Sequence, residues 1–136
     1  MKYEELIRHR NDTNPFARSL QIQCVEMDEG YARAEMPVSE QVLNPHGSVH
    51  GGVLFTLADV AGGSACASYG YAIATLDADF HYLRPGIGLT RLSASAHVLK
   101  RGKRICVFDV RVSDQDGTLL AAGTFTYSFL GDPIEL

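Results

Sequence analysis

The chain has 136 residues, of which 46% are hydrophobic and 21% charged, and its formal net charge is −4. This composition is typical of a globular protein, and we expect residues 1–136 to form a single domain. An acidic chain lacks the dominant basic field of a general nucleic-acid binder. The sequence shows neither an uncharged apolar run of membrane-spanning length nor a secretory signal, so we expect a cytoplasmic protein without membrane contact.

Cysteine and histidine spacing argues against two further kinds of site. Cys24, Cys66 and Cys106 stand singly in apolar surroundings, without a CxxC motif or a Cys/His spacing typical of zinc. We expect them to be small core residues. No HExxH motif is present either, and the sequence predicts no metal site and no cofactor.

The first third of the chain predicts a short helix, a hairpin and a loop. The segment YEELIRHR is typical of an N-terminal helix. Residues 20–28 and 31–38 alternate apolar and polar side chains around the turn sequence DEG, as two half-buried antiparallel strands do. Residues 39–50 mix Asn, Pro, Gly and Ser irregularly and predict a loop.

A long helix and four strands are predicted for the remainder. Helical periodicity runs from Gly51 to about Ser68, and its apolar residues point in nearly every direction, which predicts a helix buried all round. Four β-like stretches follow, at residues 71–84, 88–100, 104–114 and 118–129. The last three are joined by tight turns and predict an antiparallel meander. We expect an α+β fold in which five or six antiparallel strands surround one long helix, and in which another copy of the chain covers the free face or edge of the sheet.

Asp59 is the only charged side chain between Gly51 and Leu76. Burying a lone carboxylate is costly unless it is compensated, so this position needs an explanation. On a helix its same-face neighbours are Phe55, Thr56, Gly62 and Gly63. Two adjacent glycines destabilise a helix, and their missing side chains leave either a groove for a substrate atom or room for another backbone. The residue types leave both interpretations open.

The sequence His50-Gly51-Gly52 supplies a second candidate site at the start of the helix. Free backbone N–H groups and the positive end of the helix dipole converge there, and together they can hold a developing oxyanion. Asn44, His46 and His50 add polar groups that can orient a carbonyl or the loop itself. For His46 we expect a loop role only, whereas for His50 a cap and a catalytic role are both open.

Gly51 and Asp59 are too far apart to act on one small group within one chain. Eight residues of helix separate them, which corresponds to about 12 Å at the standard rise per residue. If they cooperate, Asp59 must meet the helix start of a partner chain. A two-fold dimer would then contain two equivalent sites, each assembled from both subunits.

The strand at residues 71–84 carries a second group of polar side chains. Two-residue alternation places Thr75, Asp77, Asp79 and His81 on one face and Leu76, Ala78, Phe80 and Tyr82 on the other. We expect the polar face to be solvated or to lie between subunits, and no role is assigned to His81.

Basic residues suggest where phosphates could bind. The segment KRGKR contains Lys100, Arg101, Lys103 and Arg104, which form either a solvated turn or a phosphate site. Arg84, just before a proline, is a second candidate. Ser64 and Cys66 lack a nucleophile motif, and for both we expect a structural role.

Three segments together resemble the hotdog-fold acyl-CoA thioesterases of the PaaI type, which are related to 4-hydroxybenzoyl-CoA thioesterases. The segments are NPHGSVHGGVLFTLADVAG, ATLDADFHYLRPG and VLKRGKRICVFDVRV. The resemblance implies a helix wrapped by an antiparallel sheet, homodimers with joined sheets as the minimal active unit, and commonly a homotetramer. It also implies that Asp59 acts on an acyl-CoA carbonyl as nucleophile or general base, and that the Gly51 amide polarises the thioester oxygen. Asn44 and His50 would orient the substrate or its water, and a hydroxyl, best matched by Thr75, would help hold the water.

The acyl group is less constrained by the sequence. An apolar pocket is expected from Phe55, Leu54, Val60 and Tyr82, with Gly52, Gly62 and Gly63 leaving space for substrate. Such a pocket suits an aromatic or a medium aliphatic chain, and the PaaI resemblance favours phenylacetyl or hydroxyphenylacetyl groups. Two alternatives stay open: a hotdog hydratase or dehydratase, and a non-catalytic acyl-CoA-binding module.

Overall fold

The computed structural model describes residues 2–136, which form six strands, three α-helices and one 3-10 turn. The helices are α1 (Lys2–Asp12), α2 (Pro15–Ser19) and α3 (Gly51–Ala67), and the 3-10 turn is Glu40–Val42. The strands are β1 (Gln23–Asp28), β2 (Tyr31–Pro37), β3 (Tyr71–Tyr82), β4 (Arg91–Arg101), β5 (Ile105–Asp114) and β6 (Leu119–Pro133).

All six strands join one antiparallel sheet in the order β1-β2-β4-β5-β6-β3. The β1–β2 hairpin and the β4–β5–β6 meander confirm the predictions from alternation and turn residues. The sheet wraps around α3, which contacts every strand. The predicted α+β arrangement is therefore confirmed, with six strands. None of the helices within residues 2–136 is both long and apolar enough to cross a bilayer.

The helix α3 is covered unevenly along its length. Its second half, from Ala61 to Ala67, is buried on every side. In the first half the following side chains are only half-buried: Val53, Phe55, Thr56, Asp59 and Val60. The expectation of a helix buried all round is therefore wrong for this half, because the chain's own sheet does not close over it.

A bulge in β3 changes which residues face the helix. The ladder with β6 pairs Thr75 with Tyr127 and Asp77 with Thr126, so Leu76 is an extra residue in β3. An extra residue reverses the alternation that follows it. Thr75 consequently points to the helix side, and the predicted grouping of Thr75 with Asp77 and Asp79 is wrong. The acidic side chains beyond the bulge are exposed, as expected for a solvated face.

The three cysteines and Ser64 belong to the core. All three thiols are free and buried, and burial, reinforced by Cys106, raises the pKa of Cys66 to about 12. A protonated, buried thiol is a poor nucleophile. Ser64 is also buried and accepts a hydrogen bond of 3.2 Å from Arg10 Nε. The structural roles expected for Cys66 and Ser64 agree with these surroundings.

The short helix α2 was not predicted, although its start carries a clear signal. Pro15 occupies its first turn and the Asn14 side chain accepts a hydrogen bond of 3.1 Å from the Ala17 amide. An Asn cap followed by proline is a favourable helix start. The strand β4 also begins later than predicted, at Arg91, because residues 88–90 are an irregular bend in which Gly88 adopts a positive φ of 68°.

Candidate active site

The Asp59 carboxylate is held by two hydroxyl groups from neighbouring strands. Thr75 Oγ1 on β3 donates to Asp59 Oδ1 at 2.9 Å, and Tyr127 Oη on β6 donates to the same oxygen at 3.0 Å. The Tyr127 hydroxyl also lies 3.2 Å from the Asp59 backbone carbonyl. The carboxylate that sequence reasoning singled out is thus half-buried and compensated by hydrogen bonds.

Tyr127 is the residue of this site that sequence reasoning missed. Its ring is fully buried between the sheet and α3. Burial, and then the neighbouring Asp59 carboxylate, raise the pKa of Tyr127 well above its ordinary value, so the hydroxyl stays protonated and acts as a donor. One signal was available in the sequence: a glycine in mid-helix, Gly62, indicates that the space of a side chain is needed by something else.

Gly62 and Gly63 do not leave the open groove that was predicted beside the carboxylate. A Cβ added at Gly62 would overlap the Tyr127 hydroxyl, and one added at Gly63 would come within 3.0 Å of Arg10 Nη2. Both glycines are buried. The space above them is filled by a tyrosine and an arginine of the same chain, so the groove interpretation is wrong and close packing explains the two glycines.

The start of α3 has the arrangement expected of an anion site. His50 caps the helix, with its Nδ1 accepting a hydrogen bond of 2.9 Å from the Gly52 amide. The Gly51 amide has no hydrogen-bond acceptor within residues 2–136. Tyr82 covers Gly51 from the side and donates its hydroxyl to the Gly51 carbonyl at 2.9 Å. The amide of Gly51 is therefore the free donor at this helix start.

Asn44 organises the loop that precedes the helix. Its Oδ1 accepts hydrogen bonds from the His46 amide at 2.9 Å and the Ser48 amide at 3.2 Å, and its Nδ2 donates to Ser48 Oγ at 2.7 Å. His46 is exposed. In this chain the Asn44 side chain shapes the loop leading to His50 and Gly51.

An apolar cavity opens beside the helix start. It has a volume of about 290 Å³ and is lined by Val49, Gly51, Leu54, Tyr82, Leu83, Arg84, Pro85 and Gly86. Next to it, aromatic rings form a cluster: Phe55 lies 5.7 Å from Phe80 and 5.2 Å from Phe125, and Phe80 lies 5.2 Å from Tyr82. Of the predicted acyl-pocket residues, Leu54 and Tyr82 share this cavity, and Phe55 borders it through the ring cluster.

The basic residues are split between the two ends of β3. Arg101, Lys103 and Arg104 line a cavity of about 460 Å³ together with Tyr71, Phe129, Leu130 and Gly131, and Lys100 is outside this lining. Arg101 stacks over the rings of Tyr69 and Phe129, at 5.0 and 4.9 Å from their centroids. Arg84 lies at the far end and donates to the Leu119 carbonyl at 2.9 Å. The eleven strand steps between Tyr71 and Tyr82 correspond to about 35 Å, so one chain does not bring the two groups together.

His81 and its neighbour Asp79 are not part of this site. His81 is exposed, with Nε2 3.5 Å from Asp79 Oδ1. Among the residues that the structure describes, no group of three or more His, Cys, Asp or Glu side chains is placed to hold a metal ion.

Comparisons with known proteins identify the family and the fold. The family model described as Thioesterase superfamily matches residues 46–121. The acyl-coenzyme A thioesterase PaaI of Escherichia coli (strain K12) is 41% identical over 105 residues, which are 77% of this chain and 75% of the relative. The solved structure of E. coli PaaI, from the phenylacetic acid degradation operon, superposes with a TM-score of 0.93 at 34% identity, covering 98% of this chain and 97% of that one.

A second solved structure belongs to a hypothetical thioesterase from Streptococcus pneumoniae TIGR4 with coenzyme A. It superposes with a TM-score of 0.78 at 30% identity and covers 84% of this chain and 92% of the other. The sheet wrapped around α3 is thus the hotdog fold of thioester-cleaving enzymes. The chain belongs to the Thioesterase superfamily and is a thioester hydrolase.

Proposed function

We propose that this protein is an acyl-CoA thioesterase that hydrolyses its substrate to the free acid and CoA, with Asp59 as the catalytic carboxylate. The observation that carries the proposal is the Asp59 carboxylate, which is half-buried in a helix with no other charged residue and accepts hydrogen bonds from Thr75 and Tyr127. A hydrolase family supplies the reaction type, and the relative PaaI is named an acyl-coenzyme A thioesterase.

The reaction needs a group that acts on the carbonyl carbon and a donor for the carbonyl oxygen. As general base, Asp59 takes a proton from water while the water oxygen bonds to the carbonyl carbon. The C–S bond then breaks, and the proton held by Asp59 passes to the CoA sulfur as CoA leaves. As nucleophile, a carboxylate oxygen of Asp59 bonds to that carbon, and the C–S bond breaks to release CoA and leave a mixed anhydride. Water then hydrolyses the anhydride to the free acid and restores the Asp59 carboxylate. In both routes the Gly51 amide donates to the oxygen that becomes negative. Asn44 and His50 position this amide through the loop and the helix cap.

The proposed active unit is a homodimer, with a homotetramer as the larger assembly. Gly51 and Asp59 are about 12 Å apart on α3, so a single substrate carbonyl reaches both only when they come from different subunits. The edge strand β3 supports this arrangement, because its twelve residues have no neighbouring strand on one side. Leu76 within the strand and Leu83 just after it are 53% and 50% exposed. A long strand edge with free backbone N–H and C=O groups can pair with the same strand of a second copy.

We further propose an arylacetyl substrate, such as phenylacetyl-CoA or hydroxyphenylacetyl-CoA, with medium aliphatic chains as the next choice. Aromatic rings beside the helix start, those of Phe55, Phe80 and Tyr82, offer edge and face contacts to an aryl group. The CoA phosphates are assigned to Arg101, Lys103 and Arg104, which line the same cavity, and Arg84 is the alternative at the opposite end. An arginine stacked on aromatic rings beside a cavity suits a nucleotide carrying phosphates.

The test is thiol release from a panel of acyl-CoAs by wild type and by Asp59→Asn. The panel contains phenylacetyl-CoA, hydroxyphenylacetyl-CoA, benzoyl-CoA and aliphatic thioesters of short and medium length. Wild type should release thiol, and Asp59→Asn should lower kcat by about 10²–10⁴-fold, the usual contribution of a general base. Asp116→Asn, which removes an exposed carboxylate in the β5–β6 turn, serves as the matched control and should behave as wild type.

Two results would overturn the proposal. A folded wild-type protein that binds CoA compounds and cleaves none of the thioesters would be a binding module. Conversion of an enoyl-CoA to its hydroxy product without thiol release would identify a hydratase.

A further inference from the structure

The two hydroxyls at Asp59 meet the same carboxylate oxygen. Thr75 Oγ1 and Tyr127 Oη lie 2.9 and 3.0 Å from Oδ1. They come from directly paired positions of β3 and β6, so they stand side by side on the helix face of the sheet. The carboxylate is thereby held asymmetrically, through one oxygen only.

The other oxygen, Oδ2, has no hydrogen-bond partner among the described residues. Within the same residues, no buried side-chain oxygen or nitrogen lacks a partner. An unpartnered Oδ2 on a half-buried residue is therefore open to solvent. The side chain presents one bonded oxygen to the protein and one free oxygen outward.

Two costly local features create this arrangement. The bulge at Leu76 turns Thr75 toward α3, against the alternation of the rest of β3. Gly62, three residues beyond Asp59, leaves the space that the Tyr127 hydroxyl occupies, since any larger residue would overlap it. Glycine is less favourable than alanine in the middle of a helix. Both features serve contact with a single carboxylate oxygen.

We infer that Tyr127 is a positioning residue which, together with Thr75, locks the Asp59 carboxylate through Oδ1 and thereby assigns Oδ2 as the oxygen that acts on the thioester or its water. The inference rests on the proposed catalytic role of Asp59. Fixing one oxygen removes the rotation that would otherwise exchange the two, so Oδ2 keeps one direction relative to the substrate carbonyl. Because Tyr127 is buried beneath Asp59, it acts through the carboxylate and without touching the substrate.

Tyr127→Phe tests the inference by removing only the hydroxyl. Misplacement of a reacting group by about 1 Å can cost 10²-fold, so we expect kcat to fall about 10- to 100-fold. KM should stay within about threefold, because substrate contacts do not change. Tyr31→Phe is the matched control, because it also removes a tyrosine hydroxyl. The Tyr31 hydroxyl, on β2, donates to Glu26 Oε1 on β1 at 3.0 Å, and its removal should leave kcat unchanged.

Gly62→Ala attacks the same contact from the helix side. The added methyl group displaces the Tyr127 hydroxyl, so kcat should fall to a similar degree. The added methyl group would also lie 2.9 Å from the ring carbon Cζ, so in a Tyr127→Phe background the ring still has to shift. That ring no longer carries the donor to Asp59, so the same change should cost less than about fivefold more in kcat. Independent, multiplying losses would show that the two residues act separately and would overturn the inference.

The outcomes separate this inference from the proposed function. Failure of wild type to cleave any thioester removes the proposed function itself. An active wild type with Tyr127→Phe within twofold in kcat, or with a change in KM alone, overturns the inference and leaves the thioesterase assignment standing. If Tyr127→Phe does not fold, Thr75→Val is used in its place, because this variant removes the other donor to Oδ1 at an exposed position. An unchanged kcat in Thr75→Val would also overturn the inference.

Discussion

The first and second halves of α3 are built from similar small and apolar residues, yet they have different surroundings. From Ala61 to Ala67 the helix is enclosed by the sheet and by α1. From Gly51 to Val60 one stripe is left half-covered, and this stripe holds Asp59 and the free Gly51 amide. The sealed half supplies stability, while the open half is where a substrate and a partner chain can approach. The contrast shows that the site depends on incomplete coverage of one helix.

After Asp59→Asn, a substitution at the helix start gives the largest expected effect. Gly51→Pro removes the free amide N–H while keeping the first-turn geometry that proline favours. His50, with ψ of 134°, already has the extended backbone required before a proline. If this amide holds the oxyanion, kcat should fall about 10²–10³-fold in the thiol-release assay.

Gly51→Ala is the matched control for that substitution. Like proline, alanine adds a Cβ, which lies 3.2 Å from the Tyr82 ring, but alanine keeps the backbone N–H of residue 51. It should therefore retain most of the activity. Equal losses in the two variants would show that crowding against Tyr82, and not the amide, limits the reaction.

Mixed dimers test whether the two ends of the open stripe meet across subunits. A chain carrying Asp59→Asn is paired with a chain carrying Gly51→Pro by co-expression with two affinity tags. In a shared-site dimer one site combines the intact Asp59 and the intact Gly51, and about half of the wild-type activity should return. Mixed dimers as inactive as their parents would mean that each site lies within one chain.

The smallest expected effect concerns the His50 cap. His50→Ala removes the acceptor for the Gly52 amide and should lower the free energy of unfolding by about 1 kcal/mol, measured by urea denaturation. His50→Asn keeps a capping acceptor and should restore that stability. If kcat recovers along with stability, His50 acts as a cap alone; a kcat that stays low in the stable variant assigns it to the substrate.

The sequence predicted those parts of the molecule that depend on periodicity and turns. Alternation and turn residues were enough for the hairpin, the meander and the helix, and a lone charge in an apolar helix was enough to single out Asp59. The predictions for β3 failed at Leu76, because a bulge is set by the pairing with β6 and leaves no mark on the strand's own alternation.

Tyr127 illustrates a different limit. It lies 68 positions from Asp59 in the chain, and an aromatic residue in an apolar strand looks like ordinary core. Its partner Gly62 was noticed, but a glycine tells only that space is needed and not what fills it. A contact of this kind is decided by the packing of two distant segments.

The three buried thiols have a practical consequence for anyone who follows this enzyme with a thiol-reactive dye. Such dyes react with thiolates, and Cys24 and Cys66 are both buried with pKa values raised by that burial. The native protein should contribute little colour of its own, so the signal reports released CoA. Without substrate, the rate at which the same dye labels the cysteines measures how often the core opens, because a buried thiol reacts only when it is exposed.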